Sequence, residues 1–275
     1  MMLQVLCRRQ RLKKKDFHIL VTNDDGFEAK GLQNLVKALS QIATVTVVAP
    51  SNEKSACGHS LTLSRPLHFI EVKKGFYKLD DGTPSDCILL ALKKFFSKKR
   101  PDLVISGINK GANMGEDVTY SGTVGGAMEG VLQGIDSIAI SQVCNNQCQK
   151  VDQLEYELAI NITLELVNKI KKDGFPLKDR KLLNINVPPL KPNEAKGIKI
   201  TYAGKRVYSD DASVHLNPRG KEYFWIGLPK LEWIETKKEG LISDFEAIKN
   251  GFVSITPIQL DLTSYSDIKT LKGWI

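Results

Sequence analysis

Ile19-Leu20-Val21-Thr22-Asn23-Asp24-Asp25-Gly26 is the stretch on which the fold turns. A short apolar, β-branched run reads as a parallel strand buried on both faces. It ends in four residues rich in oxygen and in turn chemistry. The same pattern recurs twice: Val45–Pro50 leads into the polar segment Ser51–His59, and Leu103-Val104-Ile105 leads into the polar loop Ser106-Gly107-Ile108-Asn109. In an open α/β sheet, ligands bind just outside the carboxyl ends of the strands. Three strands therefore bring Asp24, Asp25, Ser55 and Asn109 to one rim, an all-oxygen set suited to a hard cation. The expectation is metal-assisted chemistry on an anionic substrate.

Working outward, strand and helix alternate. The patterns predict strands at Phe17–Thr22, Thr44–Ala49, Pro101–Ile105 and Ser137–Ser141. Leu67–Val72 and Phe76–Leu79 read as a hairpin turning at Lys73–Gly75. Ala29–Ile42 carries Leu32, Leu35, Val36 and Leu39 at helical spacing. Thr83 is a helix cap with Pro84 at the first helical position and Asp86 in the first turn. That helix runs to about Phe96, and Thr123–Gln133 and Val151–Lys172 follow as helices. Right-handed βαβ units, and hence a doubly wound, mostly parallel α/β sheet, are expected. Leu182–Val187, Ile198–Tyr202, Glu222–Ile226 and Phe252–Thr256 read as short strands, and Leu241–Lys249 as a short helix. The chain divides into a basic tail (1–16), a catalytic core (17–190) and a β-rich extension (191–275) whose last strand returns to the core.

Composition excludes several classes. At 275 residues, 42% hydrophobic and 25% charged, the chain is ordinary for a globular protein. No stretch approaches the roughly 18 apolar residues of a membrane span. The net charge of +8 is concentrated at one end. Arg8, Arg9, Arg11, Lys13, Lys14 and Lys15 stand among residues 1–15 without an acid, leaving only +2 for the rest. The basic character reads as a disordered tail ahead of the first strand, so neither nucleic acid nor membrane is expected as a partner. The positive cluster follows the apolar residues Met1–Cys7, the reverse of a secretory signal. Five cysteines without a framework, with Cys144 and Cys148 lacking a second Cys/His pair, point to a reducing compartment and a cytoplasmic protein.

Each motif has a plain structural alternative. Asp24-Asp25-Gly26 alone reads as a turn or helix cap. With Ser55 and Asn109 on neighbouring strand ends, a metal site is the stronger reading. The segment Ser106–Gly115 holds three glycines and two asparagines, so its N–H groups can approach an anion closely. Ser121-Gly122-Thr123 opens a helix rich in small residues, where unpaired N–H groups and the dipole favour phosphate. No G-x-G-x-x-G follows a strand, and Walker and nucleophile-elbow motifs are absent from the sequence. His59 is the one histidine on the rim; it reads equally as an acid or base and as a loop anchor. His18 and His68 read as structural.

These residues resemble the SurE survival-protein family of metal-dependent nucleotidases and acid phosphatases. The resemblance rests on Ile19–Gly26, Val47–Ser51, Gly58–Leu63, Gly82–Cys87, Pro101–Gly111, Tyr120–Gly130 and Val253–Leu262, spaced in order along the chain. It implies a Rossmann-like core with a β-rich extension used in assembly as a homodimer or homotetramer. It places one divalent cation, Mg²⁺ or Mn²⁺, on Asp24, Asp25, Ser55 and Asn109, with the two aspartates also catalytic. It places substrate on Ser106, Gly107, Asn113, Ser121, Gly122 and Thr123. The implied activity is hydrolysis of nucleoside 5′- and 3′-monophosphates by metal-activated water. Gly125-Gly126 stands where alanines are common, a departure that touches no ligand. Two other readings of the same residues are a non-catalytic phosphate sensor, which would not need the full ligand set, and a nucleic-acid binder using the tail.

Overall fold

The computed structural model describes residues 17–144, 156–178, 180–208, 212–227, 232–236 and 238–275. The core runs β1 (His18–Thr22), α1 (Lys30–Leu39), β2 (Thr44–Pro50), β3 (Phe69–Lys73), β4 (Phe76–Leu79), α2 (Pro84–Phe95) and β5 (Leu103–Lys110). A 3₁₀ turn (Gly115–Thr119), α3 (Gly122–Leu132), β6 (Ser137–Gln142), α4 (Glu157–Asp173) and β7 (Lys181–Val187) follow. Then come β8 (Ile198–Tyr202), β9 (Lys205–Val207), β10 (Ala212–Leu216), β11 (Glu222–Ile226), β12 (Glu232–Ile234) and β13 (Ile242–Ser243). The chain closes with α5 (Asp244–Lys249), β14 (Val253–Gln259) and α6 (Tyr265–Trp274).

The main sheet of the described residues has the order β13-β8-β14-β7-β6-β5-β1-β2-β4-β3. From β7 through β6, β5, β1 and β2 to β4 all neighbours are parallel. β2 and β4 lie to one side of β1, while β5, β6 and β7 lie to the other. The strand order therefore reverses between β1 and β5, and a crevice opens there at the carboxyl ends.

Successive residues of a strand face opposite ways, and here both faces are covered. Ile19 and Val21 of β1, with Leu103 and Ile105 of β5, pack with Leu32, Leu35 and Leu39 of α1 and Val167 of α4. Leu20, Val48 and Val104 pack the other way, with Ile88, Ala91 and Leu92 of α2. Neighbouring on that side, α3 sets Val124, Ala127 and Val131 against Ala139 and Leu182. Double coverage explains why these strands read as unbroken apolar runs. Each fully buried Leu or Ile is worth roughly 1.5–3 kcal/mol.

Most expected elements are present. The Thr83 cap is reciprocal: Asp86 N–H donates to Thr83 Oγ1 at 3.1 Å, and Thr83 N–H donates to Asp86 Oδ2 at 2.9 Å. The hairpin is β3–β4, antiparallel. One expectation fails: Ser106–Asn109 is not a loop after a strand. It lies inside β5, which continues to Lys110, and the pairing with β6 slips between Ser106 and Asn109. Its polar and glycine residues mimic a loop because this strand end forms the crevice wall. The long helix is described from Glu157; residues 151–155 of that expectation, like the tail 1–16, lie outside the described residues.

The C-terminal third departs more. β14 returns to the sheet, antiparallel to β7, as expected. β8 and β13 join it as well, so the sheet runs on past residue 190. The helix expected over Leu241–Lys249 is confined to Asp244–Lys249, because Ile242–Ser243 pairs with β8. The short strands β9, β10 and β12 and the helix α6 were not expected. β9 and β12, at three residues each, carry too little periodicity to be read.

Candidate active site

The crevice between β1 and β5 gathers most of the candidate residues. Asp24 follows β1 and is almost completely buried, at 3% exposure. Its main chain is pinned by Lys54 N–H, which donates to Asp24 O at 2.7 Å. Its Oδ1 accepts from the Thr123 hydroxyl at the start of α3. Asp25 reaches the other strand: Oδ2 accepts from Lys110 N–H at 2.9 Å. The adjacent aspartates thus bridge α3 on one side and the end of β5 on the other.

Electrostatics at this point are lopsided. Burial, the larger effect, holds the Asp24 carboxyl above its ordinary range despite the Thr123 bond. Burial and then the charge of Asp24 push Asp25 up to about 7. The Glu53 carboxylate raises both. Among the described residues neither aspartate has an ion-pair partner. Asn23 Oδ1 and Ser106 Oγ are buried and without a hydrogen-bond partner among those residues. Uncompensated carboxylates beside orphaned oxygens fit a hard, oxygen-seeking cation. No group of three or more His, Cys, Asp or Glu suited to a metal occurs among the described residues, so serine and asparagine oxygens would have to complete such a site.

Glycine is required at two positions. Gly107 has φ of 136°, and a Cβ there would lie 2.3 Å from Ile140 O. A Cβ on Gly122 would lie 2.7 Å from Cys57 Sγ, 2.8 Å from Asp24 Cβ and 3.0 Å from Asp24 Oδ2. The first turn of α3 therefore lies directly against Asp24. In that turn the Thr123 N–H serves the Asp24 carboxylate and the Val124 N–H the Ser121 hydroxyl, which leaves the Gly122 N–H without an intrahelical acceptor, and the dipole adds positive charge.

The remaining candidates are placed as follows. Asn109 donates its Nδ2 to Gly111 O at 3.0 Å. Ser55 is on the exposed rim and its hydroxyl donates to Glu53 Oε1 at 2.7 Å. Ser121 caps α3, its Oγ accepting from Val124 N–H at 3.0 Å. Ser106 Oγ lies 2.9 Å from a Cβ position on Gly126. Asn113 is buried and structurally engaged: it donates to Ser141 Oγ and Asn186 Oδ1, and its carbonyl accepts from Asn184 and Asn186. Glu129 is seven residues past Gly122, about 10 Å along the helix; His59 Nε2 meets its Oε2 at 2.9 Å, tying the rim loop to α3. That contact draws the Glu129 carboxyl below its ordinary range. Glu53 and Cys57 escaped sequence reasoning, since neither carries a motif; only the folded rim brings them to Asp24.

The turn before α3 is tied to the C-terminal third. Asp117 O accepts from both Tyr120 N–H and Ser121 N–H at 3.1 Å. The Asp117 carboxylate accepts from Arg206 Nε at 3.1 Å and from the Tyr208 hydroxyl at 2.9 Å. Arg206 Nη1 also donates to Glu232 O at 2.8 Å, and Arg206 N–H donates to Glu116 Oε2 at 2.6 Å. Asp244 accepts from Gly115 and Gly204 N–H. The Arg206 side chain is 5% exposed and that of Asp117 22%. Arg206→Met is expected to lower the unfolding free energy by about 2–3 kcal/mol, somewhat under the 3–5 kcal/mol of a fully buried broken pair. Chemical denaturation measures it; an unchanged midpoint would show the network to be passive.

The chain is similar to known proteins in both sequence and fold. The family described as "Survival protein SurE" has a model matching residues 19–210. The "5'-nucleotidase SurE" of Sulfurovum sp. (strain NBC37-1) is 59% identical over 258 residues, covering 94% of this chain and 97% of that protein. That of Aliarcobacter butzleri (strain RM4018) is 57% identical over 260 residues, covering 94% and 98%. The crystal structure of the SurE protein from Aquifex aeolicus is similar at a TM-score of 0.78 and 41% identity, covering 94% of this chain and 99% of its own.

Proposed function

The chain belongs to the SurE survival-protein family, and on that premise we propose that it is a 5′-nucleotidase, a phosphoric monoester hydrolase that also accepts 3′-monophosphates and works with one divalent cation, Mg²⁺ or Mn²⁺. The family relationship and the "5'-nucleotidase" names of close relatives support the activity. One observation carries the local reading: the buried Asp24 carboxylate lies against the N-terminus of α3, so a cation ligand and an anion cradle meet at one point. Asp24 and Asp25 would hold the cation, with Ser55 and Asn109 completing its oxygen set. When bound, such a cation neutralises phosphate and acidifies a water.

The chain's own groups do the remaining work. The Gly122 N–H and the positive end of the α3 dipole would receive a non-bridging phosphate oxygen, where charge redistributes as the ester breaks. Ser106 Oγ, buried and without a protein partner among the described residues, would donate to substrate. The Thr123 hydroxyl is directed at Asp24, so besides lying at the substrate end of α3 it would orient a cation ligand. The decisive assay is phosphate release from a panel of nucleoside monophosphates with Mg²⁺, Mn²⁺ or EDTA. No metal-dependent release from any of them would overturn the reading.

Stability should report the same site. Asp25 has an ordinary value of 3.8 and sits at about 7 in the fold. Between those values the folded, metal-free chain binds more protons than the unfolded chain. Its stability is therefore expected to fall as pH rises from about 4 to about 7. Cation binding needs the ionised carboxylate, so the rise in Tm on adding Mn²⁺ should grow across that window. Thermal melts with EDTA and with Mn²⁺ at about pH 5 and about pH 7.5 test it. Equal shifts at both would count against a carboxylate site.

The C-terminal third supports assembly as a homodimer or homotetramer. Every residue of the strands β10 and β11 is exposed, including Phe224, Trp225 and Ile226. α6 buries none of its residues and leaves Leu271 and Trp274 exposed. Apolar surface of this kind marks contact sites, and sedimentation measures the oligomer. No helix among the described residues is long and apolar enough to cross a membrane. Cys57 and Cys87 are free thiols, in keeping with a cytoplasmic protein.

A further inference from the structure

Two half-exposed tyrosines stand beside the phosphate cradle with no role in it. Tyr120 immediately precedes Ser121, the cap of α3, and is 59% exposed. Its Cα is within two chain steps of Gly122, about 7.6 Å at most. Tyr208 comes from the C-terminal third and is 46% exposed. The rings pair edge to face, with centroids 6.2 Å apart and planes at 80°.

Both are held in place. Tyr120 N–H donates to Asp117 O, and Tyr120 O accepts from Gly58 N–H at 2.8 Å, on the rim loop. The Tyr208 hydroxyl donates to Asp117 Oδ1 at 2.9 Å, and the Arg206 guanidinium lies 5.6 Å from the centre of its ring. An edge-to-face pair cannot cover both faces of either ring, and since Arg206 already lies over one face of Tyr208, Tyr120 offers the more open face. Exposed aromatic faces that are already ordered lose little entropy on stacking.

We propose that Tyr120 and Tyr208 form a nucleobase-stacking subsite at the mouth of the phosphate cradle. The inference rests on the reading of the site as one that takes nucleoside monophosphates, and it adds where the base goes. With phosphate held by the first turn of α3, the ribose spans the short distance back to Tyr120. Stacking uses the π-face that every base has, so the subsite favours nucleotides over other phosphate esters while ranking the bases weakly.

The test compares AMP, CMP and ribose 5-phosphate on the wild type, Tyr120→Ala, Tyr120→Phe and Tyr208→Ala. Equilibrium dialysis of AMP is run alongside as a readout independent of turnover. Tyr120→Ala is expected to lower kcat/KM by about 5- to 100-fold for AMP and CMP, mainly through KM, as loss of one base–aromatic stack does. The loss on ribose 5-phosphate should be small by comparison, and Tyr120→Phe should stay near wild type. Tyr208→Ala should show the same selectivity with a smaller loss. Equal losses on nucleotides and ribose 5-phosphate would overturn the subsite and leave the hydrolytic reading standing. AMP binding that depends on Tyr120, without phosphate release by the wild type, would overturn the hydrolytic reading and leave the subsite standing. A changed oligomeric state in Tyr120→Ala with base discrimination intact would assign the rings to an interface instead.

Discussion

Asp24→Asn is expected to lower phosphate release by roughly a thousandfold or more at saturating Mn²⁺, the several kcal/mol that a metal's charge stabilisation represents. The fold should not suffer. The amide is nearly isosteric and keeps an oxygen for the Thr123 hydroxyl. It also removes a charge that burial disfavours. The variant's Tm in EDTA should therefore equal or exceed that of the wild type, while the stabilisation by Mn²⁺ disappears. A gain in stability with a loss of function is what a site strained for catalysis predicts. Near wild-type turnover would falsify the assignment of Asp24 as a ligand.

Gly122→Ala should be nearly as damaging, for a steric reason. The new methyl would lie 2.8 Å from Asp24 Cβ, an atom next to the backbone that cannot swing away, and 2.7 Å from Cys57 Sγ. Either α3 backs off or Asp24 shifts. Displacement of about 1 Å at a reacting centre costs on the order of 100-fold in rate. Overpacking itself costs about 1–3 kcal/mol. Both kcat and metal affinity should fall, because α3 and Asp24 share the contact. Adding Cys57→Ala would relieve only the sulfur clash, so the double variant should recover little activity. Full recovery would place the strain on Cys57 and free Asp24 from it. Kinetics with metal titration on both variants separate the two.

The chemistry of the rim is legible in the chain because a buried parallel strand leaves a plain signature. Unbroken runs such as Ile19–Thr22 arise from coverage on both faces, and a ligand at a strand end must be polar where the run stops. Asp24 and Asp25 could therefore be assigned to the crevice from order alone. The Thr83 cap was equally legible, since its hydrogen bonds close within four residues. Ser106–Asn109 misled for the same local reason: glycine and polar side chains signal a loop, whereas here they form the wall of a crevice inside β5.

What the sequence by itself determined is the set of local preferences and their order: which segments are strands, which ends are polar, and that the polar ends share one side of a sheet. Only the tertiary structure decided which side chains meet. The Thr123 hydroxyl met Asp24 from 99 residues away, and His59 met Glu129 from 70. Arg206 and Tyr208 reached Asp117 across 89 and 91 residues. The physical reason is that periodicity and capping act over a few residues, while such contacts depend on loop closure and packing between elements whose separation leaves no trace in the local pattern.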